Sequence, residues 1–344
     1  MRERVLVICP GRGTYGKGEL GYLARHHRGK ADFIAEIDTY RQRQGQPGIA
    51  ALDGADKYQL STHTAGENAS ALIYACAMCD YLSIDQDKYE PVAVTGNSMG
   101  WYIAMAAAGA LPPAAAIEVI NTMGSMMQSG VIGGQTLYPV VDAHWCADAE
   151  KRQLVLAKID EIHGEADCEL HLSINLGGNL VLGGNDKGLK RFEESVPRID
   201  NLFPLRLYNH AAFHTPLLDE ISLKAKNLLT ADLFTAPRVP MIDGRGKIWQ
   251  PFSTHIPELY DYTLGHQVNR TYDFSKALEV AVKEFAPQKL IILGPGTTLG
   301  GSVVQVLIQL NWQGLSSKAD FIRRQQEDPL VISMGMPEQR CLVS

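Results

Sequence analysis

PVAVTGNSMGWYIAMAAAGAL, residues 91–111, passes across five residues from an apolar strand signal, Pro91 to Thr95, to a strongly helical one after Gly100. Between them, Gly96-Asn97-Ser98-Met99-Gly100 sets small residues on both sides of a serine, the pattern of a sharp, strained turn that pushes one hydroxyl outward. Such a turn leaves the backbone N–H of Met99 at a helix start, where the helix dipole favours a developing negative charge. Two glycines spaced around a serine arise easily by chance in a glycine-containing chain. The strand before and the helix after give this triplet its meaning.

Upstream, a strand at Arg4 to Cys9 runs into the loop Gly11-Arg-Gly-Thr-Tyr-Gly16. Downstream, from about Gln135 to Asn209, TLYPVV, ADAEKRQLVLAKIDEIHG, CELHLSIN, NLVLGG, DKGLKRFEESV and LFPLRLY read in the order β-α-β-β-α-β, a ferredoxin-like unit. The chain then resumes with His210 to Thr215, helices around Leu217–Leu229 and Ser275–Phe285, and a strand at Lys289–Leu293 closed by Gly294-Pro295-Gly296. The expected fold is α/β: an α/β-hydrolase-like parallel-sheet domain formed by residues 1–130 and 208–344, with residues 131–207 inserted as a ferredoxin-like subdomain. Gly314 to Ser344 is polar and less periodic, and reads as a C-terminal extension.

Composition narrows the function. The 344 residues are 45% hydrophobic and 20% charged, ordinary values for a folded chain. A net charge of -6, without basic stretches interleaved with aromatics, argues against nucleic acid. No apolar run is long enough to span a bilayer and Val5–Cys9 opens a strand rather than a signal peptide, so no membrane is expected and cytoplasm is the default location. Six cysteines lack disulfide or zinc-ligand spacing, so no metal is expected. The Cys76-x-x-Cys79 pair lies in a helix that reads as core. The terminal Cys341-Leu-Val-Ser has no polybasic stretch to support prenylation. Asn68-Ala-Ser and Asn269-Arg-Thr matter as glycosylation acceptors only in a secreted chain.

A serine hydroxyl needs a base at neutral pH, usually histidine. Of ten histidines none follows His266, which disfavours the hydrolase order with a late histidine. His214, in Ala211-Ala-Phe-His-Thr-Pro216, stands where the chain returns from the insertion.

Taken in order, CPGRGTYG, GNSMGWY, AAGAL with GSMMQ, AFHTP and LGPGTTL resemble the motifs of the malonyl-CoA:acyl-carrier-protein transacylase family, from about Val5 to Leu299. The resemblance implies that Ser98 takes an acyl group from a coenzyme A thioester and that the phosphopantetheine thiol of an acyl carrier protein removes it. It also implies an oxyanion hole from the backbone N–H groups of Arg12 and Met99, no permanently bound cofactor, and a monomer. A group near the next helix holds the histidine in this family, often through a backbone carbonyl. By position that is Asp273, which reads equally well as a helix N-cap.

Three departures bear on the acyl group. Aligned through Gly124 and Gln128, Met123 occupies the place of the family's carboxylate-binding arginine, where it lines a pocket or only fills helix core. Arg12 replaces a glutamine; it receives a malonyl carboxylate from another direction, contacts phosphates of the donor, or is solvated. Asn97 and Trp101 replace a histidine and an acidic residue around the serine, with Trp101 narrowing the pocket or packing on its helix. The expected activity is ping-pong transfer of malonyl or a related acyl group in fatty acid or polyketide synthesis. An editing thioester hydrolase using the same pair and a non-catalytic scaffold are the alternatives.

Overall fold

The computed structural model describes residues 2–126 and 132–344. Its strands, in chain order, are β1 (Glu3–Cys9), β2 (Tyr89–Gly96), β3 (Gly134–Pro139), β4 (Leu170–Leu176), β5 (Asn179–Gly184), β6 (Leu205–Arg206), β7 (Met241–Ile242), β8 (Ile248–Trp249), β9 (Tyr272–Asp273), β10 (Lys289–Ile292) and β11 (Val331–Ser333). They form two sheets.

The larger sheet has the order β11-β10-β1-β2-β7-β8. Every pairing in it is parallel except β7 with β8. Strands of a parallel sheet are covered on both faces and read as continuous apolar runs, and Val5 to Cys9 are fully buried. The helix Gly66–Tyr81 is buried continuously from Asn68 to Asp80. Cys76 and Cys79 are core residues on it, and all six cysteines are free thiols.

The smaller sheet runs β6-β3-β5-β4-β9, antiparallel over its first four strands. With helices Ala149–His163 and Asp186–Ser195 between them, these four follow the β-α-β-β-α-β order. A separate apolar cluster, including Tyr138, Val155, Leu182 and Phe192, fills the space under those helices.

Two elements depart from the sequence expectation. β9 comes from outside residues 131–207 yet pairs parallel with β4, Ile174 opposite Tyr272 and Asn175 opposite Asp273. The segment after Gly314 is more than an extension, because β11 pairs with β10 and completes the edge of the larger sheet. Three residues are too few for a periodic signal to emerge. The alignment anchor Gln128 and the boundary near residue 130 lie outside the described residues.

Candidate active site

Ser98 sits between β2 and the helix Gly100–Ala108 with φ of 56°, in the left-handed region. The flanking glycines follow from space. A β-carbon on Gly96 would stand 2.2 Å from the Gly100 carbonyl oxygen, and one on Gly100 would stand 2.4 Å from that of Cys9. The turn closes only if neither residue has a side chain, and that closure lifts Ser98 away from the sheet.

Ser98 Oγ and His214 Nε2 are 2.7 Å apart. His214 Nδ1 is 2.5 Å from the carbonyl oxygen of Gln267. A carbonyl only accepts, so Nδ1 carries the proton, Nε2 is a bare acceptor and Ser98 donates to it. Burial pushes the His214 pKa down to about 4, against the Gln267 carbonyl, which raises it. The imidazole is therefore neutral at physiological pH and able to take a proton. Gln267 makes two further bonds: its Nε2 donates to the Ser98 carbonyl at 3.1 Å, and its Oε1 accepts from the Tyr102 hydroxyl at 2.7 Å.

Asp273 is not the group that orients His214. Its side chain caps the helix Phe274–Phe285, accepting from Lys276 N at 2.8 Å and from Asn175 Nδ2 at 2.9 Å. Pairing with β4 fixes its backbone, and the capping geometry uses its oxygen. Trp101 does not line the cavity either. It is fully buried, donates from Nε1 to Thr263 Oγ1 at 3.0 Å and meets Tyr262 edge-on, because its helix directs it into the core. Gln267 acts on His214 through its main chain, so its side-chain type carried no signal for this role.

Ser98 and His214 open onto a cavity of about 520 Å³ that is also lined by Arg12, Asn97, Met99 and Met123. One wall is the elbow; the other is apolar and comes from the smaller sheet, through residues such as Leu137, Ile174 and Leu205. The N–H groups of Arg12 and Met99 have no acceptor among the described residues. Asn97 Oδ1 is buried and has no partner among them.

Arg12 is the only ionic side chain among the described lining residues. Its Nη2 donates to the Thr64 carbonyl at 2.9 Å and its guanidinium lies 5.3 Å from the Phe213 ring centroid. It has no ion-pair partner among the described residues, and burial lowers its pKa to about 10, which leaves it charged at neutral pH. A β-carbon on Gly66 would stand 3.5 Å from Arg12 Nη1 and 2.5 Å from the Gly124 carbonyl oxygen. The guanidinium thus arrives beside the last turn of the helix Pro113–Ser125, which carries Met123.

His210, which the sequence reading passed over, lines the same cavity. Ser173 Oγ donates to the Phe213 carbonyl, so Gln135 Nε2 must donate to Ser173 and Gln135 Oε1 must accept from His210 Nδ1. Burial, then the charge of Arg12, lower the His210 pKa to about 3.

No family model matches the chain. It is 22% identical over 331 residues to a malonyl-CoA:acyl-carrier-protein transacylase of Salmonella typhimurium, covering 91% of this chain and 96% of that protein. The malonyl-CoA:ACP transacylase of Synechocystis superposes with a TM-score of 0.73 at 16% identity, over 99% of this chain and 100% of that one. The chain has the fold of the malonyl-CoA:acyl-carrier-protein transacylases. Another structure with this transacylase fold, a malonyl-transacylase in complex with the holo acyl carrier protein of a type II polyketide synthase, superposes with a TM-score of 0.69 at 18% identity, over 89% of this chain and 93% of that one. Among the described residues, no helix is long and apolar enough to cross a membrane.

Proposed function

We propose that this chain is a ping-pong acyltransferase, moving an acyl group from coenzyme A to an acyl carrier protein through acyl-Ser98. The observation that carries the reading is the relay in which Ser98 Oγ donates to His214 Nε2 while His214 Nδ1 donates to Gln267. His214 takes the Ser98 proton as Oγ attacks the thioester carbon. The oxyanion is held by the Arg12 and Met99 N–H groups, and the imidazolium by the Gln267 carbonyl. Collapse breaks the C–S bond, and His214 returns the proton to the departing coenzyme A thiolate. The phosphopantetheine thiol then repeats the sequence in reverse: it gives its proton to His214 and attacks the ester, and Ser98 leaves with that proton. All these groups come from one chain, in keeping with a monomer as the acting unit, and coenzyme A and phosphopantetheine enter as substrates rather than as resident cofactors. Six free thiols suit a cytoplasmic setting.

The acyl group of this reading is malonyl or a related carboxyacyl group, with Arg12 as the partner of the carboxylate. A guanidinium in a mostly apolar cavity retains a desolvation cost that a carboxylate would offset. Met123 supplies flexible apolar surface nearby. Residues 1–130 and 208–344 then carry the chemistry, and 131–207 close over it.

Intact-protein mass spectrometry with malonyl-CoA tests the reading. The wild type is expected to gain one malonyl group, stable until holo acyl carrier protein is added, and Ser98→Ala none. Release of free acid faster than transfer to the carrier would make the protein a thioester hydrolase, and an adduct that survives in Ser98→Ala would rule out this nucleophile.

A further inference from the structure

At the junction of the helix Ala149–His163 with the smaller sheet, His163, Glu169 and His171 bring two imidazoles and one carboxylate together, none of them lining the Ser98 cavity. His163 ends the helix Ala149–His163, and Glu169 and His171 flank Leu170 at the start of β4. Residues two apart on a strand face the same way, so the helix end drops its imidazole onto a Glu-x-His pair. One ligand atom from each of the three lies within 4.8 Å of the others. His171 Nε2 is 3.0 Å and His163 Nδ1 3.8 Å from the same oxygen, Glu169 Oε2. The two rings are 4.7 Å apart, tilted by 59°.

We propose that this cluster is a binding site for a divalent transition-metal ion of the zinc, cobalt or nickel type. Ligands at roughly 2.0–2.2 Å from a tetrahedral ion stand about 3.4 Å apart, a spacing the three groups reach by small side-chain rotations. Two imidazoles with one carboxylate favour these ions over magnesium or calcium, which prefer all-oxygen sites. The side chains of His163 and Glu169 are about half exposed, at 48% and 50%, so an ion enters without unfolding. Beside them lies a recess of about 270 Å³, also lined by Asp160, Arg270 and Thr271 and reaching His214 at its far side. Asp160 precedes His163 by three residues and shares its helix face, so it or a water completes the coordination. Bound there, the ion ties the end of one helix to the start of a neighbouring strand and stabilises the smaller unit by mass action.

The test uses full-length protein, free of any polyhistidine tag and treated with chelator, in a Cys146→Ser, Cys341→Ser background that removes the two cysteines that are not buried. Cobalt is titrated while its visible absorption is followed, and zinc by calorimetry and thermal melting. The expected result is one ion per chain, a melting temperature raised by zinc but not by magnesium, and affinity lowered roughly tenfold or more in His163→Ala and in His171→Ala separately. A His255→Ala control is expected to bind as the parent does. Unchanged affinity in both ligand variants, or no saturable binding below about 1 mM zinc, would overturn the assignment.

Discussion

Gln267 donates from Nε2 to the main-chain carbonyl of Ser98 at 3.1 Å, so the residue whose own carbonyl holds His214 also holds the elbow that carries the nucleophile. Replacing its side chain separates the two roles, because the main-chain bond to His214 survives. Gln267→Met is expected to lower kcat about tenfold with little change in KM, as the elbow loses one hydrogen bond and the Tyr102 hydroxyl a second. Steady-state kinetics with malonyl-CoA and a holo carrier check it. A change confined to KM would mean that the side chain serves substrate binding instead.

Asp273→Ala removes a helix cap and the bond from Asn175. The expected cost is about 1 kcal/mol of stability, or roughly 2 °C in melting temperature for a chain of this size, with kcat within about twofold of the parent. A tenfold fall in kcat would return Asp273 to the role of orienting His214.

Arg12→Ala keeps the main-chain N–H while deleting the charge. Loss of a charge-assisted contact worth about 3 kcal/mol lowers kcat/KM for malonyl-CoA on the order of 100-fold, with acetyl-CoA changed only a few-fold. Met123→Arg placed on Arg12→Gln is expected to recover part of the malonyl rate, since both positions line one cavity. Equal loss with both donors would instead assign the guanidinium to the coenzyme A portion they share.

Protonation of buried histidines sets the acid limit. Folding lowers His210 from 6.5 to about 3 and His214 from 6.5 to about 4. The unfolded chain therefore binds these protons first as pH falls, and their contribution is complete above about pH 6.5 and lost on the way down to the folded values. At pH 5 each histidine costs roughly 2 kcal/mol. Thermal melts from pH 7.5 to 4.5 are expected to show a steep decline below pH 6.5 that is shallower in His210→Gln. Identical slopes would mean that His210 is protonated in the fold. Acyl-enzyme formation, which needs neutral His214, stays level from pH 8 to 6.

Ser98 was legible because a strand, a tight turn and a helix each leave a pattern, and His214 because the chain's return from a recognisable β-α-β-β-α-β unit marks it. Met123, in the place of the family's arginine, and Asn97, a departure beside the serine, line the cavity. The misses share a cause. Asp273 has the charge to orient a histidine, yet main-chain pairing and capping had already committed its oxygen, and the task went to a carbonyl that every residue possesses. Trp101 follows the serine closely, but the helical turn directs it inward. β11 is too short for periodicity, and β9, two residues long, owes its existence to β4. The group formed by His163, Glu169 and His171 escaped notice because its spacing follows no metal-binding motif and arises only when a helix end and a strand start meet.

The Ser98 cavity draws its walls from both parts of the chain, the nucleophile's elbow with Arg12, Met123 and Gln267 on one side and β3, β4 and β6 on the other. Bond-making groups and the Arg12 guanidinium sit on the first, while much of the apolar contour beside them belongs to the second. Selection acting on Leu137, Ile174 or Leu205 can therefore lengthen, shorten or branch the accepted chain without disturbing Ser98, His214 or Gln267, so new specificities are within reach by exchanging one cassette and leaving the reactive half untouched.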